Sequence, residues 1–471
     1  MRRLLIVVVA CTAVLAAAAT ASAHAVLESS TPAADSRVAA APASVVLRFS
    51  EPVQVGPARG SDVVFEDGST ASAAPGTIGR DGSSLVIPLR PALDEGTYTV
   101  RYAVIGGDSH VIPGVVVFGV GDGPLGDAVL GGGEGGPSET GVWGTSARFL
   151  EIVGLGGLIG LIAFRWLVWA PAARAGLRGR PAEERTTVLT WGRDAFWVAF
   201  GALAVGAMIA EGYLLVVHSA TVLGTGVWAA LGDPAGISQV LGDTRFGGLV
   251  QLRGALLFVV FVLGCVLFLR EYGSGGEARE AEPAGPAWSA LAMGALLLAV
   301  LGGVAAQGHA RVTDLPALQI GAHLLHVAAV AVWLTGLALL AVVHLRLPRV
   351  DPVAGPVVAA RVLSRFSRIA FAAVGVAILT GVVRTIGEIS DPAELWETAY
   401  GRSILIKLAL LVPIALIALQ SRRVEAAVRL ISRPNTPTLR LVRRSATAEL
   451  ALSMVVVLVA TVLVAQVPGA A

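Results

Sequence analysis

The sequence predicts an all-β Greek-key sandwich at the N-terminus, followed by an all-α polytopic membrane bundle of eight helices. Three observations carry this. Short alternating segments are confined to residues 24–120, long apolar segments fill the rest, and arginine is distributed unevenly among the loops between those segments. Of 471 residues, 55% are hydrophobic and 14% charged, a composition too apolar for an ordinary soluble domain. The net charge is only +2 and no basic cluster gathers on one surface, so no nucleic-acid partner is expected.

The chain opens with Arg2 and Arg3, an apolar stretch from Leu4 to about Ala19, and Ala21-Ser22-Ala23. That is the layout of a secretory signal covering residues 1–23; an uncleaved anchor helix is the alternative. Cleavage after Ala23 makes His24 the N-terminus, where one residue offers both an α-amine and an imidazole. Cys11 and Cys265 are the two cysteines, so an exported domain over residues 24–120 contains no disulfide.

Within residues 24–120 the segments Val45 to Phe49, Asp62 to Phe65, Leu85 to Leu89, Thr97 to Tyr102 and Val115 to Phe118 are bounded by Gly, Pro, Asp or Ser. Their spacing predicts a small antiparallel sandwich, cupredoxin/Ig-like in type. Residues 121–146, with Gly131-Gly132-Gly133 and Gly135-Gly136, read as a flexible linker.

The membrane region is assigned to residues 147–467, with spans at about 147–170, 195–217, 248–270, 288–306, 320–345, 368–386, 403–420 and 447–467. Loops expected on the side away from the sandwich are rich in arginine; Arg422, Arg423, Arg429, Arg433, Arg440, Arg443 and Arg444 all fall in the last of them. Loops on the sandwich side hold only Arg245, Arg311 and Arg402. The positive-inside rule therefore puts the sandwich and the C-terminus outside. Lys407 is the only lysine, a bias of GC-rich genomes, which suggests a bacterial plasma membrane. No internal repeat is visible.

His24, Asp108 and His110 are the candidate metal ligands of the first domain. Alternate residues of an extended segment point to one face, so Asp108 and His110 can address the same ion. An amine, two imidazoles and a carboxylate make a tetragonal nitrogen and oxygen set, which suits Cu(II). Taken alone, the Asp and His also read as solvated loop residues; the terminal histidine moves the balance toward a metal. Glu51 reads equally as a neighbour of the metal and as a strand-end surface carboxylate.

The run from His24 to Ala33, then Leu47 to Val53, Gly96 to Val100, and Asp108-Ser109-His110 with Gly114 and Phe118, resembles the CopC family of periplasmic copper-binding proteins. The resemblance implies that His24, Asp108 and His110 hold Cu(II). Ser109 stands where the family usually has Gly, which removes no ligand. Some family members carry a Met-rich Cu(I) site, whereas residues 24–120 contain no methionine, so no Cu(I) site is expected there.

In the membrane half, Gln307, His309, His323 and His326 lie toward the sandwich side, with His323 and His326 sharing a helix face. The three histidines are the candidate copper entry site, or else interfacial residues solvated by water and headgroups. Glu151, Glu211, His218, Lys407 and Glu449 are further polar residues in spans, readable as a cation path or as internal ion-pair partners; His344 reads as incidental. Met208, Met293, Met454 and Cys265 form no cluster of soft ligands, which argues against a thiolate relay.

The segment from His323 to His326 with Trp333 and Gly336, Phe366 to Ala370 with Thr380-Gly381, Thr398 to Gly401 with Lys407, and Glu449 resembles the CopD family of membrane copper proteins. The two resemblances imply a non-enzymatic protein that binds Cu(II) outside and passes copper to a membrane domain, for import or copper homeostasis. Its partners would be copper ions, the lipid membrane, an extracellular copper donor and a cytoplasmic acceptor. No nucleotide-binding loop is visible, so ATP coupling is not supported. The alternatives are a membrane haem oxidoreductase that reduces captured Cu(II), although few histidines lie deep in the spans and haem is not expected, and a copper sensor or store with a membrane anchor.

Overall fold

The computed structural model of the protein describes residues 25–55, 61–106, 111–126, 128–129, 142–273, 287–305, 316–389, 392–398, 401–402, 404–406 and 408–409. The strands are β1 (Leu27–Thr31), β2 (Ser36–Val38), β3 (Ser44–Phe49), β4 (Gln54–Val55), β5 (Asp62–Phe65), β6 (Thr77–Ile78), β7 (Ser84–Pro88), β8 (Gly96–Ile105) and β9 (Val111–Val120). They make two sheets, ordered β1-β3-β7-β6 and β2-β9-β8-β4, with β5 also paired to β8.

The core follows from alternation. In β3, Val45, Leu47 and Phe49 are buried while Arg48 is exposed, and they meet Leu85, Ile87, Tyr98, Val100, Val104, Val116 and Phe118 between the sheets. Strand β8 breaks the alternation, because Thr97 and Thr99 on its outer face are buried as well. Their cover is the chain that follows β9: Gly126 N–H donates to Thr97 Oγ1 at 2.8 Å and Val129 N–H to Thr99 Oγ1 at 2.9 Å. Arg37 holds the start of that cover, donating to the carbonyls of Val120, Gly121 and Pro124 at 3.1, 3.0 and 2.6 Å.

The helices are α1 (Val142–Leu177), α2 (Ala182–Leu223), α3 (Val227–Leu231), α4 (Pro234–Asp243), α5 (Arg245–Gly273), α6 (Ala287–Ala305), α7 (Pro316–Val350), α8 (Gly355–Glu388) and α9 (Glu394–Glu397). A π-helical turn interrupts α1 over Phe164–Trp169. Among the described residues six helices are long and apolar enough to cross a membrane: α1, α2, α5, α6, α7 and α8. They coincide with the first six predicted spans. Of the seventh, 403–420, only a few residues are described, and the eighth, 447–467, lies outside the described residues.

Helix α1 is the hub, and its glycines explain why. A Cβ on Gly154 would lie 3.0 Å from the Cα of Ala207, and one on Gly160 would lie 2.4 Å from the carbonyl oxygen of Ala331. One glycine face of α1 therefore admits α2 and the other admits α7, the small-residue packing by which helices associate where no water drives them together. Helices α5 and α6 close the first half of the bundle around Leu158, Phe200, Val260 and Leu297, and α8 packs on α7 in the second half.

Candidate metal site

The site is built from two strand ends. Val26, one residue into the described chain, donates to Ser50 Oγ at 2.9 Å, and Ser50 N–H returns a bond to the Val26 carbonyl at 2.9 Å. Leu27 pairs with Phe49, so the N-terminal entry to β1 lies against the end of β3. From there Ser50, Glu51, Pro52 and Val53 cross to β4, whose Gln54 pairs with Ile105, the last residue of β8. Ile105 in turn pairs with Val111, the first residue of β9. The start of the described chain at Ala25 and the paired ends of β8 and β9 at Ile105 and Val111 thus sit at one end of the sandwich, joined by the segment carrying Glu51.

His24, Asp108 and His110 themselves lie outside the described residues, as do His309, Lys407 and Glu449. Among the described residues no group of three or more His, Cys, Asp or Glu side chains is arranged to hold a metal ion.

The crossing segment is buttressed from beneath. Phe49 N–H donates to Ser83 O at 2.8 Å and Val53 N–H to Gly82 O at 2.9 Å. This turn before β7 is tied by Asp81, which accepts from Ser84 Oγ at 2.7 Å and from the N–H groups of Ser83 and Ser84 at 3.2 and 3.1 Å. The Ser84 hydroxyl, helped by those N–H groups and by Arg48, holds the Asp81 carboxyl below the usual carboxylate range.

The same end of the sandwich touches the bundle. Ile105 is 2% exposed, packed with Val222 near the C-terminus of α2 and Val240 of α4, with Val111 and Leu223 beside them. An isoleucine on the outer face of a sheet is buried here because helices, not the opposite sheet, cover it.

In the second half of the bundle, His323 and His326 lie one turn apart on α7, both half-buried. His326 Nδ1 lies 2.9 Å from the Ala377 carbonyl and 3.2 Å from Thr380 Oγ1, both on α8. A carbonyl only accepts, so Nδ1 carries the hydrogen and the lone pair of the neutral ring is on Nε2, the arrangement in which an imidazole ligates a metal. Gly381 gives the ring room, since a Cβ there would stand 3.3 Å from His326 Cε1. His344 is different: it is buried near the other end of α7 and donates from Nδ1 to Leu340 O of its own helix at 2.9 Å.

Glu151 and Glu211 prove to be ion-pair partners, and their partner is Arg253 of α5, which sequence reasoning passed over. Arg165 of α1 is likewise buried, paired with Glu271 at 2.6 Å. The signal for both was present: an arginine inside an apolar segment that by itself meets the length of a span.

The chain matches three family descriptions in order, each on a part that the fold separates. The CopC domain matches residues 27–121, the copper resistance protein D-like N-terminal domain matches 141–318, and copper resistance protein D matches 360–463. The chain is thus a fusion of a CopC domain with a copper resistance protein D-like N-terminal domain and a copper resistance protein D domain, in that order. A relative along most of this fusion is the copper transport protein CutJ of Bacillus subtilis, 26% identical over 399 residues, which are 83% of this chain and 66% of that protein. The chain thus spans slightly under two thirds of CutJ. The protein YobA of Escherichia coli is 35% identical over 99 residues, 79% of its length and 21% of this chain. Among solved structures, PcoC, a methionine-rich copper resistance protein from Escherichia coli, is 38% identical and covered over 98% of its chain, with a TM-score of 0.19 against 21% of this chain.

Proposed function

We propose that this CopC–CopD fusion captures Cu(II) through the α-amine and imidazole of His24 with Asp108 and His110, and hands copper to its helix bundle for uptake. The sandwich then lies outside a bacterial plasma membrane, and copper enters the bundle near His309, His323 and His326. The observation that supports the reading is that the start of β1 and the facing ends of β8 and β9, which flank the candidate ligands in sequence, lie at one end of the sandwich, and that this end packs on α2 and α4. A captured ion would start next to the bundle, with no long path to cross.

The donor chemistry favours Cu(II) over Cu(I): nitrogen and carboxylate oxygen are hard to borderline ligands, and thioethers are absent. No methionine occurs between Met1 and Met208. The His326 tautomer, with Nε2 as acceptor, supports the entry site on α7.

The test is a Cu(II) titration with electron paramagnetic resonance on the protein starting at His24, against a variant with one residue added before it. One Cu(II) per chain with a tetragonal, nitrogen-rich spectrum, weakened at least about tenfold by the extension, is expected, because a chelate ring and an amine ligand are lost. Equal binding by both proteins would sink the terminal chelate.

A further inference from the structure

The first half of the bundle holds two buried ion-pair sites at opposite ends, each built from the same three helices. At the end away from the sandwich, Arg165 of α1 donates to Glu271 Oε1 of α5 at 2.6 Å, and Trp197 Nε1 of α2 donates to Glu271 Oε2 at 2.7 Å. The Arg165 guanidinium lies over the rings of Trp166, Phe196 and Trp197 at 5.3, 4.0 and 5.5 Å. One cation meets one carboxylate and both carboxylate oxygens are bonded, while Arg165 Nε and Nη1 have no hydrogen-bond partner among the described residues and Arg193 also acts on the guanidinium.

The sandwich end is not balanced in this way. Arg253 of α5, fully buried, lies 3.1 Å from Glu151 Oε1 of α1 and 2.5 Å from Glu211 Oε2 of α2, and both glutamates are themselves buried. One guanidinium faces two carboxylates. Glu211 Oε1 and Glu151 Oε1 accept no hydrogen bond from any described residue, the latter lying near Arg253 but outside hydrogen-bond geometry. Among the described residues the charged groups acting on Glu211 are Arg253 and Glu151, and α6, which packs Gly303 against the Arg253 stem, carries no titratable residue. His218, buried and stacked on Phe246 at 3.6 Å, stands two turns along α2 toward the sandwich, between Glu211 and the Val222 contact.

A structural ion pair needs one carboxylate for each guanidinium. A second, with an orphan oxygen in a span, is a surplus negative charge of a kind that membrane interiors strongly disfavour. We propose that Glu151, Glu211 and Arg253 form an exchangeable proton site, which binds one proton on a carboxylate oxygen, passes from net charge −1 to 0, and loads from the sandwich end by way of His218. The ligand is a proton and not a metal ion, because Arg253 occupies the centre where a metal would have to sit. Where the bundle moves copper as proposed above, this is the group a coupled proton would occupy; only that last step rests on the copper reading.

The test is pH-difference infrared spectroscopy of the full-length protein in lipid nanodiscs without copper, reading the C=O stretch of protonated carboxyl groups. Wild type is expected to show a buried carboxyl that titrates, with about one proton taken up per chain. The band should vanish in Glu211→Gln or Glu151→Gln, whichever carries the proton, and shift in the other. Because glutamine mimics a protonated carboxyl and leaves a neutral pair, neither variant should melt below wild type. A titrating band unchanged in both variants, no such band in wild type, or loss of fold in both variants would each overturn the proposal. Proteoliposomes with an imposed pH gradient read coupling separately: copper uptake that ignores the gradient, with the infrared band intact, would remove the coupling and keep the site.

Discussion

Asp81 shows how a single exposed residue supports the end of the sandwich that carries Glu51. Its carboxylate ties Ser83 and Ser84, and the backbone of Gly82 and Ser83 holds Phe49 and Val53 on either side of Glu51. A carboxyl whose folded pKa is depressed stabilises the fold fully above its unfolded value and loses that contribution as pH falls from the ordinary carboxylate value through the depressed folded one. Asp81→Asn should therefore lower the melting temperature slightly at neutral pH and have no effect in strong acid, read by circular dichroism at a series of pH values. A pH-independent difference would detach the effect from the charge. At this scale the sequence offers candidate ligand types, an Asp-x-His unit and a histidine after the expected signal, and these residues lie outside the described ones. Arg253 was missed because its meaning depends on Glu151 and Glu211, which stand 102 and 42 positions before it in the chain.

At the level of elements, the glycines of α1 decide how the bundle packs. Any side chain at Gly160 meets the backbone of α7, because its Cβ would fall 2.4 Å from Ala331 O and from Thr335 Cβ. Backbone cannot rotate aside as a side chain can, so Gly160→Ala should cost about 1–3 kcal/mol through separation of α1 and α7. Gly201 of α2 has nothing within 4 Å of its Cβ position, and Gly201→Ala should be neutral or slightly stabilising. Thermal unfolding in detergent compares the two directly, and equal effects would mean that helix propensity and not packing governs. The elements themselves were largely readable: alternation marked β3 and length marked the six described spans. The buried outer face of β8 was not, because its cover at Gly126 and Val129 comes from a stretch whose composition suggests only a linker.

For the whole molecule, the contact of Ile105 and Val111 with Val222, Leu223 and Val240 sets where the sandwich sits on the bundle. Burying one large aliphatic side chain stabilises by about 1.5–3 kcal/mol, which corresponds to roughly tenfold or more in the docked population. Ile105→Asp should leave the stoichiometry of Cu(II) binding intact and slow copper uptake into proteoliposomes by about that factor. Unchanged uptake would show that transfer does not use this docked arrangement.

The sequence by itself determined the two-part architecture, the spans now described and the chemistry available to a metal, because hydrophobic period, segment length and residue type are local quantities. Tertiary structure alone decided which sandwich end faces the bundle, which carbonyl sets the His326 tautomer, and that two glutamates share one arginine. Each of those depends on groups far apart in the chain meeting in space, where burial turns an ordinary charge or ring nitrogen into one with a defined partner.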